Sequence, residues 1–169
     1  EGTSEYGEMI ICDGVNEPFL FQMTGTGVLT SRTFFAKEIT VDSTTAPAFG
    51  VIHDKHFVAA GASTSKNTVF YSGTNDIDSF SGGGAGSIVL SDAVVGLASF
   101  RSDLIIFCKN SIHKLVNIND SSTVAIVPIT TNVGCVNGGS IQEIGGDVLF
   151  LAPDGIRTIA GTARIGDVE

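Results

Sequence analysis

Four short apolar runs constrain this chain more than any other feature. They are Met9-Ile10-Ile11-Cys12, Phe57-Val58-Ala59-Ala60, Leu104-Ile105-Ile106-Phe107 and Val148-Leu149-Phe150-Leu151, so successive starts lie 48, 47 and 44 residues apart. Each has strand length, and each is followed across a turn by a second apolar segment: Phe19-Leu20-Phe21, Val69-Phe70-Tyr71, Ile112-His113-Lys114-Leu115 and Ile156-Arg157-Thr158-Ile159. Three are also preceded by one, at Phe49-Gly50-Val51-Ile52, Val95-Gly96-Leu97-Ala98, and Ile141 with Ile144. The turns between run and follower, especially Lys109-Asn110-Ser111 and Ala152-Pro153-Asp154-Gly155, supply the Asn, Asp and Gly that reach positive φ in tight hairpins, and the turns before the runs fall near Asp54-Lys55, Arg101-Ser102-Asp103 and Gly145-Gly146-Asp147. Candidates for a fourth, outer strand are Ile39-Thr40-Val41, Ile88-Val89-Leu90 and Val124-Ala125-Ile126-Val127. A period of roughly 45 residues in such a sequence is that of propeller blades. One blade cannot cover both its faces, so blades stack around an axis and bury one another.

The sequence therefore predicts an all-β, β-propeller-like array of three- to four-stranded antiparallel blades, with about four blades present. The competing arrangement is an antiparallel sandwich. Helical periodicity is nowhere sustained, which predicts little α structure. Residues 1–169 are read as a single domain, and the absence of an initiator Met or a closing element suggests a segment of a longer polypeptide.

Composition narrows the function. With 43% hydrophobic and 16% charged residues the chain is not of the disordered kind. Nine Lys and Arg against 18 Asp and Glu leave a net charge of −9, and the cations are scattered, which argues against a surface that grips nucleic acid through phosphates. No apolar run approaches the 18 or so residues of a membrane helix. Three cysteines, Cys12, Cys108 and Cys135, lack the spacing of a disulfide framework or zinc knuckle and fit folding in a cytoplasm.

The chemistry-bearing candidates read as structural. Gly82-Gly83-Gly84-Ala85-Gly86 leads into the strand-like Ser87-Ile88-Val89-Leu90 rather than a helix, so it is a loop and not a phosphate cradle. His53 and His56 bracket Asp54 without a third ligand nearby, and His113 sits on the polar face of a strand. Asn75-Asp76-Ile77-Asp78 lacks the remaining ligands of a calcium loop. There is no Gly-x-Ser-x-Gly elbow and no sialidase-type Asp loop, and Trp is absent. No catalytic, cofactor-binding or metal-binding residue is assigned, and the expectation is a protein that is not an enzyme and needs no cofactor.

Asp13 to Phe21, His56 to Gly61, Thr68 to Gly73 with Asp78-Ser79-Phe80, and Asp103 to Leu115 together resemble the β-propeller region of the tail nozzle proteins of short-tailed double-stranded DNA bacteriophages. The similarity runs from about Asp13 to Ile159 and rests on packing and turn motifs. Members of that family are longer, with a platform domain that this sequence does not show. The resemblance implies a virion structural protein, folded in the host cytoplasm and assembled as a homo-oligomeric ring, expected to be a hexamer. Its implied neighbours are adaptor and other tail proteins and tail fibres, and the double-stranded genome would be retained in and ejected through the ring without sequence-specific binding. An acidic lumen would repel phosphates and let DNA slide. The alternative is a carbohydrate- or receptor-binding, or depolymerase, propeller of a tail; a scaffold propeller of a cellular protein is a third.

Overall fold

Residues 7–24, 33–42 and 46–166 are described by the structure, a computed structural model. Its strands are β1 (Gly7–Ile11), β2 (Phe19–Thr24), β3 (Thr33–Glu38), β4 (Phe49–His53), β5 (His56–Ala62), β6 (Ser65–Tyr71) and β7 (Gly86–Val89). They continue as β8 (Val94–Phe100), β9 (Asp103–Cys108), β10 (Ile112–Val116), β11 (Ala125–Thr130), β12 (Gln142–Ile144), β13 (Asp147–Ala152) and β14 (Gly155–Thr158), followed by a helix, α1 (Ile159–Gly166). The strands form four antiparallel sheets in strict chain order: β1-β2-β3, β4-β5-β6-β7, β8-β9-β10-β11 and β12-β13-β14. The protein is all-β, built of four meanders.

Turn chemistry sets these boundaries. Asp54 and Lys55 have φ of 45° and 68°, and Gly145 and Gly146 have 60° and 82°. Two successive left-handed residues make the two-residue hairpin whose twist matches the strands it joins. The first turn puts His53 opposite His56, and the second puts Ile144 opposite Asp147.

The second strand of each middle sheet explains why the apolar runs are unbroken. In β5, Val58 and Ala60 pack with Leu104 and Ile106 of the third sheet, while Phe57 and Ala59 pack with Leu20 and Ile39 toward the first. In β9, Leu104 and Ile106 face the second sheet, whereas Ile105 and Phe107 pack with Val148, Phe150 and Ala152 of the fourth. The Phe107 and Phe150 ring centroids are 5.3 Å apart. Alternate residues of one strand thus serve two different cores, so polar alternation vanishes.

The first apolar run, read from the sequence without a preceding strand, lies in an edge strand, β1, while the other three lie in second strands. Two features depart from the sequence reading. The outer strand of the first sheet is Thr33–Glu38 and not Ile39-Thr40-Val41. Ile39 and Val41 alternate with an exposed Thr40 because both are buried just past the strand end, where the Ile39 N–H donates to the Pro18 carbonyl at 2.8 Å. Ile159, expected at the end of a strand, opens α1 instead. Thr158 starts that helix: its hydroxyl accepts the Gly161 N–H at 3.0 Å, as an N-cap residue does, and Asp147 accepts the Ala160 N–H at 3.2 Å.

Leu104 is fully buried between the second and third sheets. Leu104→Asp should cost about 3–5 kcal/mol or more and abolish folding, because the charge has no partner there. A soluble variant with an unchanged denaturant midpoint would show that this packing is misassigned.

Candidate functional site

The strand that begins each sheet approaches one shared cavity. Glu8, Ile10 and Cys12 reach it from the first sheet, Phe49 to Ile52 from the second, Gly96 to Ala98 from the third, and Ile141 and Glu143 from the fourth. Its volume is about 710 Å³. Most of the lining side chains are apolar, two are carboxylates, and none is cationic. Two negative charges with no cation oppose the binding of a phosphate. Burial and the neighbouring Asp13 charge push the Cys12 thiol up to about 11, which keeps it protonated and unreactive at neutral pH.

Glycine makes the close approach at this cavity possible. A Cβ on Gly96 would collide with the Ile141 side chain, and one on Gly138 with the Val95 carbonyl oxygen. The glycines of this chain are therefore packing residues as well as turn residues. Gly138→Ala should destabilise by roughly 1–3 kcal/mol, and Gly96→Ala by less, since a side chain can swing aside and a backbone oxygen cannot. Chemical denaturation of the two variants reads the order, and equal midpoints would refute it.

Beside this cavity, a polar network joins the second and third sheets. His56 is completely buried; its Nδ1 donates to the Ser72 carbonyl at 2.6 Å, and its Nε2 lies 3.1 Å from Asn119 Oδ1 and 3.2 Å from the Thr74 hydroxyl. The Asn119 amide in turn donates to the Asp54 carboxylate. A carboxylate only accepts, so this bond fixes which end of the amide faces His56. Ser72 is also buried, accepting the Phe57 N–H at 2.9 Å and donating to the Gly73 carbonyl at 3.2 Å.

His53 turns elsewhere, with Nδ1 3.0 Å from the Ser99 hydroxyl. A serine beside an imidazole is half of a nucleophile and base pair. Here the imidazole is buried, and Ser99 lines neither the shared cavity nor the 510 Å³ cleft around His53, Asp54, Asp103 and Asp120. The carboxylates of that cleft are already engaged: Asp54 by Asn119, Asp120 by Ser122 and Thr123, and Asp103 by Lys114 at 3.6 Å. Among the described residues no three His, Cys, Asp or Glu side chains converge as a metal site would require.

The remaining sequence candidates are structural in place. Gly82 to Gly86 runs into β7, and Asn75, with φ of 58°, shapes a loop whose Asp78 pairs with Lys37 of the first sheet. Ser111 and the Asn110 and Ala93 N–H groups donate to Asp92, and these bonds outweigh its burial and hold the carboxyl below its usual range. That staple, which ties the entry of β8 to the turn between β9 and β10, was not singled out in the sequence. Cys108 and Cys135 are buried, and burial with the Asp92 charge pushes the Cys108 thiol up to about 12. No protein-family model matches the sequence, and no curated protein matches it.

Burial lowers the affinity of His53 and of His113 for a proton, more than nearby carboxylates raise it. The unfolded chain therefore binds protons more readily there, so the stabilisation is complete above the ordinary histidine value and is lost as pH falls below it. The urea midpoint should drop between about pH 7 and about pH 5.5, and His53→Gln should flatten that slope. An unchanged slope in the variant would remove His53 from this role.

Proposed function

We propose that the four sheets are blades of a β-propeller-like array, and that the chain is a structural component of the tail of a short-tailed double-stranded DNA bacteriophage. In this reading it forms part of the nozzle ring through which the genome is retained and ejected. The observation that most supports it is the convergence of β1, β4, β8 and β12 on one cavity, the relation that blades around an axis require. The tail assignment itself rests on the sequence resemblance.

A cavity of about 710 Å³ has the size of a small-ligand pocket and cannot admit a duplex, whose major groove alone is about 12 Å wide. The conduit in this reading is therefore the opening between copies in a homo-oligomeric ring, a hexamer, and not the axis of one copy. A net charge of −9 per copy opposes phosphate binding, so DNA slides past without sequence-specific contact. The work is mechanical, and the neighbours are adaptor and other tail proteins and fibres in the virion.

Two measurements test this. In images of tailed particles carrying the chain, its density is expected as a ring on the tail axis below the portal. A position in a peripheral fibre, with cleavage of a surface polysaccharide, would replace the reading with the depolymerase alternative. In solution, fluorescence anisotropy of a labelled duplex should show no salt-dependent binding to the isolated chain, and tight binding that weakens steeply with salt would contradict a sliding surface.

A further inference from the structure

The cleft of 510 Å³ lies between the second and third sheets, bounded by the turn that joins β4 to β5, the turn before β9 and the loop after β10. Three carboxylates line it, Asp54, Asp103 and Asp120. The cations beside them in sequence turn elsewhere: Lys55 lines a separate cavity with Asn75 and Asp76, and the Arg101 guanidinium sits 4.8 Å over the Phe100 ring. Lys114 meets Asp103 at 3.6 Å, but both side chains are partly exposed, and such a pair holds a carboxylate weakly.

His53 adds what a cluster of carboxylates lacks. It is 7% exposed, and its Nδ1 is bonded to Ser99, which lines no part of the cleft, so Nε2 on the opposite side of the ring is the nitrogen turned toward it. Nε2 has no partner among the described residues. No enclosed side-chain nitrogen or oxygen there is left without one, so Nε2 opens on the cleft. Burial lowers the affinity of this imidazole for a proton more than Asp54 and Asp103 raise it, which keeps the ring neutral at pH 7. With its one proton on Nδ1 and given to Ser99, the ring presents a lone pair at Nε2.

The side-chain donors of the lining are spent within it: the Asn119 amide on Asp54, the Asn117 amide on the Thr123 carbonyl and the Thr123 hydroxyl on Asp120. Apart from the Ser102 hydroxyl, the side-chain groups left open are acceptors, among them the second oxygens of Asp54 and Asp103. A site of acceptors takes a ligand of donors. No three of these groups converge as the ligands of one metal ion do, so the acceptors surround something wider. A guanidinium spreads five N–H donors over a plane and carries no acceptor. We infer that this cleft binds a guanidinium group, which donates to His53 Nε2 and to the open oxygens of Asp54 and Asp103. Its source is an arginine side chain of a polypeptide or a small free guanidinium compound. The inference is independent of the tail reading.

Calorimetric titration of the intact chain with ethylguanidinium and with a capped Gly-Gly-Arg-Gly-Gly peptide reads both sources. Binding of the peptide at least as tight as that of ethylguanidinium assigns the ligand to a polypeptide side chain, and binding of ethylguanidinium alone assigns it to a small free compound. The neutral analogues, ethylurea and the citrulline peptide, should bind roughly tenfold more weakly or not at all. The nitrogen resonance of His53 Nε2 should shift on binding while that of His113 Nε2, bonded to Ser111, stays in place. Asp54→Asn keeps an acceptor for Asn119 and a residue tolerated at positive φ, and Asp103→Asn keeps the shape of its side chain. Each should weaken binding about fivefold or more with little change in the urea midpoint, whereas Asp154→Asn, which removes a distant charge, should leave it unchanged. No binding of either guanidinium probe, equal binding of the neutral analogues, or equal loss in all three variants overturns the inference.

Discussion

Burial of single strands on both sides is the constraint from which the rest of this structure follows. β5 and β9 supply alternate side chains to different cores, so neither sheet that contains them is complete without a neighbour on each side. Stacking in chain order satisfies that demand with short connections and no crossovers. It also brings the first strand of each sheet toward one cavity, where Gly96 and Gly138 let backbone and side chains come close.

Much of this was legible in the sequence because burial on both faces erases polar alternation and leaves runs that can be counted. The places of the hairpin turns at Asp54-Lys55 and Gly145-Gly146 were equally legible, but the positive φ of Lys55 follows from no residue preference. The outer strand of the first sheet was not. Ile39 and Val41 alternate with Thr40 as strand residues do, yet they owe their burial to packing beyond the ladder. Helix α1 was missed for a related reason: Ile156 and Ile159 suit a strand, and the cap that turns the chain depends on Thr158 and on Asp147, which is distant in sequence.

The candidate site was less legible than the fold. His53 and His56, three apart, invite a shared role, but a tight turn places them as neighbours whose rings bond to different partners. What binds them comes from 16 to 63 residues away, in Ser72, Thr74, Ser99 and Asn119, distances that spacing arguments do not reach. The cavity is a product of four sheets together and has no local motif. That it holds two acids and no cation is a fact of assembly, only faintly foreshadowed by the overall charge.

Apolar faces resist separation but offer little resistance to sliding, because a hydrophobic contact has no preferred direction. The bonds from Ser72 through His56 and Asn119 to Asp54 are directional and cross the boundary between the second and third sheets. They convert a greasy contact into one with a fixed register. A load applied along the stack would meet those two sheets as one stiff block.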